Sequence, residues 1–223
     1  MLQILRHDDV DPSQNPTGEI LLSKEVNPYK VWVPDSNYLV LGNSQDPEKE
    51  LRVADVIRDG IPVYKRKSGG GAVLLSPGCL CVGLRFAKRK ELNIQDYFHL
   101  GSDLVRKVAG QAFGVQMECR GISDLVVGDR KVAGCALYMP KDYVLYLLSL
   151  LVDSDLSDIE KYLAHPSKEP DYRLGRTHKD FLVGLASFST STVTGQDLVA
   201  QFEREIPHLL ADHLDWQKNM EPG

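Results

Sequence analysis

The sequence predicts an α/β (α+β) fold, a mostly antiparallel sheet with flanking helices. Strand-like runs dominate residues 30–152, and most links between them are hairpin-length. Only three stretches carry a helical apolar period, so helices serve to cover a sheet rather than to alternate with its strands.

The elements follow in order. Apolar runs at 30–33 and 38–41 read as strands. Asp46-Pro47 predicts the start of a first helix with an apolar face of Leu51, Ala54 and Ile57, ending at Gly60. Runs at 62–66, 72–75 and 79–86 continue the strands. Tyr97, Leu100, Leu104, Val108 and Ala112 form the stripe of a second helix closed by Gly114. After a run at 115–119, the strands 125–127 and 132–137 flank Gly128-Asp129, a favoured two-residue hairpin turn, and 143–152 completes the set. Thr194-Gly195-Gln196-Asp197 reads as a capping box opening a third helix.

Composition bounds the function. At 223 residues and 43% hydrophobic content the chain can bury one large core, so residues 1–223 are expected to form a single domain with no separate C-terminal accessory domain. A formal charge of −5 argues against a non-specific nucleic-acid surface. The sequence has no apolar run of about 18 residues, no basic-then-apolar signal at its start and no internal repeat. These features predict a cytoplasmic protein with neither a nucleic-acid nor a membrane partner. Cys79, Cys81, Cys119 and Cys135 lack metal-ligand spacing and read as reduced thiols.

Two motifs carry the chemistry. Arg66-Lys67-Ser68-Gly69-Gly70-Gly71-Ala72-Val73 removes three consecutive Cβ atoms, which lets backbone amides approach an anion between a fixed cation and a strand. No Gly-Lys-Ser/Thr follows, so it is not a P-loop. On its own a triple glycine reads first as a connector. The second motif, Gly128-Asp129-Arg130-Lys131-Val132-Ala133-Gly134-Cys135-Ala136, sets Lys131 at the start of a returning strand beside small residues that leave room for a ligand. Lys131 alone would read as a solvated hairpin lysine; the pairing with the glycine loop favours a site for a nucleotide-activated acid.

Together these motifs make the chain, from about Val31 to about Leu185, resemble the lipoate-protein ligase branch of the biotin and lipoate ligase/transferase superfamily. Arg66, Ser68, Gly69, Gly70, Gly71, Ala72 and Val73 match the family's Arg-x-Ser-Gly-Gly-Gly-Ala-Val segment, and Lys131 falls on its essential lysine. Asp124-Leu125-Val126-Val127 is similar to the strand before that lysine. Gly42-Asn43-Ser44-Gln45-Asp46-Pro47 is similar to the family's turn ahead of its first helix, and Asp153-Ser154-Asp155-Leu156 with Tyr162-Leu163 to a later segment. Departures occur at Leu75, Ser123 and Leu148, which stand where the family carries polar or small residues, and at Arg173-Leu174-Gly175-Arg176-Thr177-His178, whose arginines read as a solvated loop or as phosphate contacts.

The resemblance implies a class II synthetase-like, biotin-ligase-like catalytic domain. Its implied activity is ATP-dependent activation of lipoate or octanoate, with magnesium, to an acyl-adenylate, followed by transfer to a lysine of a lipoyl carrier domain. Lys131 is the implied catalytic residue. Arg66, Ser68, Gly69, Gly70, Gly71, Ala72, Val73, Leu74, Asp124 and Ala136 are the implied ATP and lipoyl-adenylate contacts, with Asp124 a candidate magnesium or ribose contact or a turn cap. A separate accessory subunit is an expected partner. Two other classes compete: an ATP-independent acyltransferase using a Cys119 thioester, and a non-catalytic binder of lipoyl domains.

Overall fold

The computed structural model describes residues 2–6, 29–189 and 193–213, and these residues form two sheets. The larger runs in the order β2 (Tyr29–Trp32), β6 (Cys79–Ala87), β10 (Tyr143–Leu151), β9 (Arg130–Tyr138), β8 (Asp124–Val127), β7 (Glu118–Arg120), and every neighbouring pair is antiparallel. The smaller runs β1 (Ile4–Arg6), β4 (Val63–Lys65), β3 (Tyr38–Leu41), β5 (Val73–Leu75), with β4 parallel to both its neighbours. The expected α/β class with a mostly antiparallel sheet holds.

The centre of the larger sheet is the pairing of β6 with β10, in register from Cys79↔Leu151 to Ala87↔Tyr143. Alternation along these strands divides their side chains between two faces. Leu80, Val82, Leu84 and Phe86 of β6, with Val144, Tyr146 and Leu150 of β10, join one core with Tyr97, Leu104 and Val108 of α3 (Ile94–Phe113) and Leu198, Phe202 and Ile206 of the last helix (Gly195–His213). Each fully buried side chain of this size stabilises by about 1.5–3 kcal/mol. Both covering helices open on capping boxes, the one at Thr194 as its sequence predicts and the one at Asn93 seen only in the structure. Asn93 accepts from the Gln95 and Asp96 amides while Asp96 accepts from the Asn93 amide, and Thr194 and Asp197 exchange the same reciprocal bonds. Gly114 closes α3 at φ +66°.

The opposite face of the larger sheet looks toward the smaller one. There Cys79 and Leu151 pack with Leu39, Leu41, Leu74 and the buried residues of α4 (Leu156–Tyr162).

The first helix departs from its expected form. It is broken into α1 (Pro47–Glu50) and α2 (Val53–Arg58), because Leu51 is extended and pairs with Leu163. The Arg52 amide donates to the Tyr162 carbonyl and the Ala164 amide to the Glu50 carbonyl, so backbone bonds to a distant segment replace those of a continuous helix. The apolar face shifts accordingly: Leu51 and Val56 are buried, whereas Ala54 and Ile57 are exposed. The strand expected at 115–119 begins at Glu118, because the Val115 amide is drawn back to Gly110 in the close of α3.

Candidate functional site

The glycine loop joins β4 to β5, as expected, and its conformation is held from inside. Gly70 sits at φ +95°, a region in which a side chain is strained, while Gly69 and Gly71 face open space where a Cβ would meet nothing. Arg66 is buried, and its guanidinium donates to the Gly69 carbonyl (2.8 and 3.2 Å) and the Gly71 carbonyl (2.9 Å). The arginine expected to hold phosphates therefore also braces the loop that would do so.

A second turn locks onto the first. A Cβ on Gly42 would stand 2.2 Å from the Gly70 carbonyl oxygen, so only glycine fits there. The Asn43 amide donates to the Ser68 carbonyl at 3.0 Å, and Gln45 Oε1 accepts from the Gly42 amide at 2.9 Å. Ser68 is buried in this contact. Gly42 belongs to the turn singled out from sequence, but its partner loop was not legible there.

Lys131 lies where the hairpin predicts. Gly128 adopts φ +63° between Val127 and the paired Arg130, and a register shift at Leu125/Val126 re-aims the strand. Lys131 Nζ contacts Asp124 Oδ1 at 2.7 Å. A Cβ on Gly134 would meet that Nζ at 3.0 Å, so the lysine side chain lies flat over the glycine. Asp124 is buried and its Oδ2 accepts from the Tyr172 hydroxyl at 2.7 Å. Burial, with the Asp124 charge beside it, pushes the Tyr172 phenol well above its usual range, so it stays a donor. Of the alternatives held open for Asp124, a magnesium or ribose contact or a turn cap, the structure shows no cap; its carboxylate is an ion-pair partner of Lys131 and accepts from Tyr172.

The segment after α4 closes this side. Arg176 pairs with Asp129 at 3.0 Å, Arg130 donates to the Lys179 carbonyl at 2.8 Å, and the Val183 amide donates to the Lys131 carbonyl at 3.0 Å. Arg173 is buried, donating to the Arg176 carbonyl at 2.9 Å. The two arginines are therefore not solvated: Arg176 braces the hairpin tip, and Arg173, though buried, also lines the cavity between the two sequence motifs. His178 is buried with Nε2 against the Ala164 carbonyl, and burial lowers its pKa, which favours the neutral ring.

A cavity of about 790 Å³ lies between the two motifs, within the range of small-molecule sites. Arg66, Gly70, Gly71, Ala72, Val73, Leu74, Asp124, Lys131 and Ala136 line it, whereas buried Ser68 and exposed Gly69 are outside the lining. Trp32, Val40, Leu75 and Cys81 give it an apolar wall, and Arg120, Tyr172 and the Lys131–Asp124 pair give it a polar one. The departures at Leu75, Ser123 and Leu148 all reach the lining, and Leu148 also packs into the core beneath α3. The site therefore sets an apolar wall beside an ion-paired lysine.

Cys119 does not join it. The thiol lies on edge strand β7 beside Ser102, Asp103 and Arg106 of α3, on the sheet face away from the cavity, which Arg120 lines instead. Partial burial raises its pKa above the usual thiol range, which disfavours a thiolate.

The donor set does not favour a resident metal. Both Asp124 oxygens already have partners, and among the described residues no group of three His, Cys, Asp or Glu could hold an ion. No described helix is long and apolar enough to cross a membrane.

The chain is similar to known proteins in sequence and in fold. Residues 21–206 match the family model described as the lipoyl protein ligase A/B catalytic domain. A Mycoplasma pneumoniae protein named "Probable lipoate-protein ligase A" is 27% identical over 199 residues, covering 88% of this chain and 58% of its own length. The chain thus spans under two thirds of that curated relative. Among solved structures, a bi-partite lipoate protein ligase from Thermoplasma acidophilum, described with its E2 lipoyl domain, superposes with a TM-score of 0.67 at 19% identity, over 82% of this chain and 71% of its own. A lipoate-protein ligase A bound with ATP gives 0.66 at 20% identity, over 82% and 72%. At such identities the likeness shows the fold.

Proposed function

The chain belongs to the lipoyl protein ligase A/B catalytic-domain family, and from that premise and the geometry around Lys131 we propose that it activates lipoate or octanoate with ATP and transfers the acyl group to a lysine of a lipoyl carrier domain. The observation that carries this reading is one cavity lined by both the braced glycine loop and the Lys131–Asp124 pair.

In the first step a carboxylate oxygen of the acid attacks the α-phosphorus of ATP, the bond to pyrophosphate breaks, and an acyl-adenylate results. Both reactants are anions, so the demand on the protein is charge stabilisation. The Lys131 ammonium, lining the same cavity as the glycine loop, neutralises the carboxyl oxygen and the α-phosphate together. Backbone amides of Gly70 and Gly71 take the phosphate oxygens, with Arg66 fixing the loop. The wall of Trp32, Val40, Leu75 and Cys81 takes the acyl tail. In the second step the neutral amine of a carrier lysine attacks the carbonyl carbon, the bond from that carbon to the phosphate oxygen breaks, AMP leaves and the amine's proton passes to solvent. Magnesium would accompany the triphosphate as its counter-ion and supply further charge neutralisation.

Support for the substrates comes from the relatives: one solved neighbour holds ATP, and the Thermoplasma ligase is described with a lipoyl domain. The bi-partite make-up of that ligase supports an accessory polypeptide as a further partner. The test is pyrophosphate release by the purified chain given ATP, magnesium and lipoate, followed by transfer to an added lipoyl domain read by mass spectrometry. Release that depends on lipoate supports the reading. Acylation of the lipoyl domain from an acyl donor without ATP would support the transferase class instead.

A further inference from the structure

Lysine side chains are long and strongly hydrated, so an ammonium that must neutralise two anions needs something to hold it in place. Here the holder is Asp124, and Asp124 is itself held. Its two oxygens have one partner each, Lys131 Nζ at 2.7 Å and the Tyr172 hydroxyl at 2.7 Å. A carboxylate turns about a broad terminal torsion; with Oδ2 engaged by the phenol, Oδ1 stays aimed at the lysine.

Tyr172 is in turn fixed from several sides. It sits in the helical turn Asp171–Arg173, with the Arg120 guanidinium 5.2 Å from its ring centroid and the Phe181 ring at 5.3 Å. The Gly121 turn between β7 and β8 rests on the same ring, since a Cβ there would come within 3.6 Å of it. Its carbonyl accepts from Arg176 at 3.0 Å, and Arg176 also bonds the Asp129 carbonyl and carboxylate at the hairpin tip. One segment therefore grips the Lys131 hairpin twice, at its tip through Arg176 and along its strands through Tyr172.

We propose that Tyr172 is a positioning residue for the activation step, acting on Lys131 through Asp124. The inference rests on the ligase reading for its kinetic consequence only; the restraint on Lys131 is a property of the protein with or without substrate.

Tyr172→Phe keeps the ring, its packing under Arg120 and its contact with Phe181, and removes only the hydroxyl. Expected is about a tenfold fall in kcat for lipoate-dependent pyrophosphate release, with KM for lipoate and ATP within about twofold and Tm nearly unchanged. Because the effect runs through Asp124, the same substitution made in an Asp124→Asn background should lower kcat no further. A second readout needs no turnover: the rate of Lys131 acetylation by acetic anhydride, followed by peptide mass spectrometry against exposed Lys141. It should rise severalfold in Tyr172→Phe and respond no further in the Asp124→Asn background. An unchanged Lys131 acetylation rate, or a kcat loss undiminished in the Asp124→Asn background, overturns the proposal. A wild-type chain that releases no pyrophosphate fails the ligase reading, while the acetylation rates still decide the role of Tyr172.

Discussion

Replacing Gly134 with alanine measures how closely Lys131 must lie against the sheet. The added methyl would stand 3.0 Å from the lysine Nζ and 3.2 Å from its Cε. Comfortable contact needs about 3.5–4.0 Å, so the ammonium must retreat by about 0.5 Å. The obstacle is the far end of a flexible side chain, and Gly134 is outside the left-handed region, so the strand itself accepts alanine. Lower entropy of the unfolded chain favours alanine by about 0.4–1 kcal/mol, which offsets the repacking. Tm is expected to move by no more than about 3 °C. Activity should respond far more. A displacement of about 1 Å in a reacting constellation can lower a rate about a hundredfold, so half of that predicts a loss on the order of tenfold. Calorimetry paired with lipoate-dependent pyrophosphate release reads both effects. Wild-type turnover from a Gly134→Ala chain of normal stability would refute the claim that the lysine must hold this position. A collapse in Tm would assign Gly134 to backbone packing instead.

Three further substitutions address the remaining parts of the site. Lys131→Ala should leave the chain folded and lower acyl-adenylate formation by about a thousandfold or more, as expected when the main stabiliser of transition-state charge is lost; quenched assays of adenylate in a folded variant check it. Gly70→Val forces a β-branched residue to φ +95° and its Cβ to 2.9 Å from Arg66, so titration calorimetry should show ATP binding weakened at least tenfold, while strain of about 1–3 kcal/mol lowers Tm by several degrees. Cys119→Ser should retain activity within about twofold, since the thiol lies off the cavity; an acyl thioester trapped on Cys119 by mass spectrometry would reverse that assignment.

Sequence reasoning reached the local features and missed those made at a distance. The capping box at Thr194, the Gly128 turn and the period and close of α3 are written in neighbouring residues, so Gly114 and Thr194 could be read directly, whereas the equally local Asn93 box was missed. The break at Leu51 could not, because its cause is a backbone bridge to Leu163, more than a hundred positions away. The same distinction runs through the site. Lys131 and the glycine loop announce themselves by spacing, yet the buried donors of Arg66 turn inward on the loop's own carbonyls, and that depends on how residues 66–71 curl. Tyr172 had no signal at all: it stands in an irregular segment without period or motif, and its meaning comes from meeting Asp124 across the fold. Cys119 was legible as a cysteine near the motif, but the face it occupies is set by its place on β7.

The fate of a single oxygen atom tests the central claim most directly. If the acid's carboxylate attacks the α-phosphorus and the acceptor amine then attacks the carbonyl carbon, one carboxylate oxygen must leave with the phosphate. Lipoate labelled with oxygen-18 in its carboxylate, supplied with ATP, magnesium and a lipoyl domain, is therefore expected to yield AMP carrying one labelled oxygen for each acylated lysine, and Lys131→Ala should yield neither product. Acylated lipoyl domain formed with unlabelled AMP, or with no AMP at all, would contradict the account.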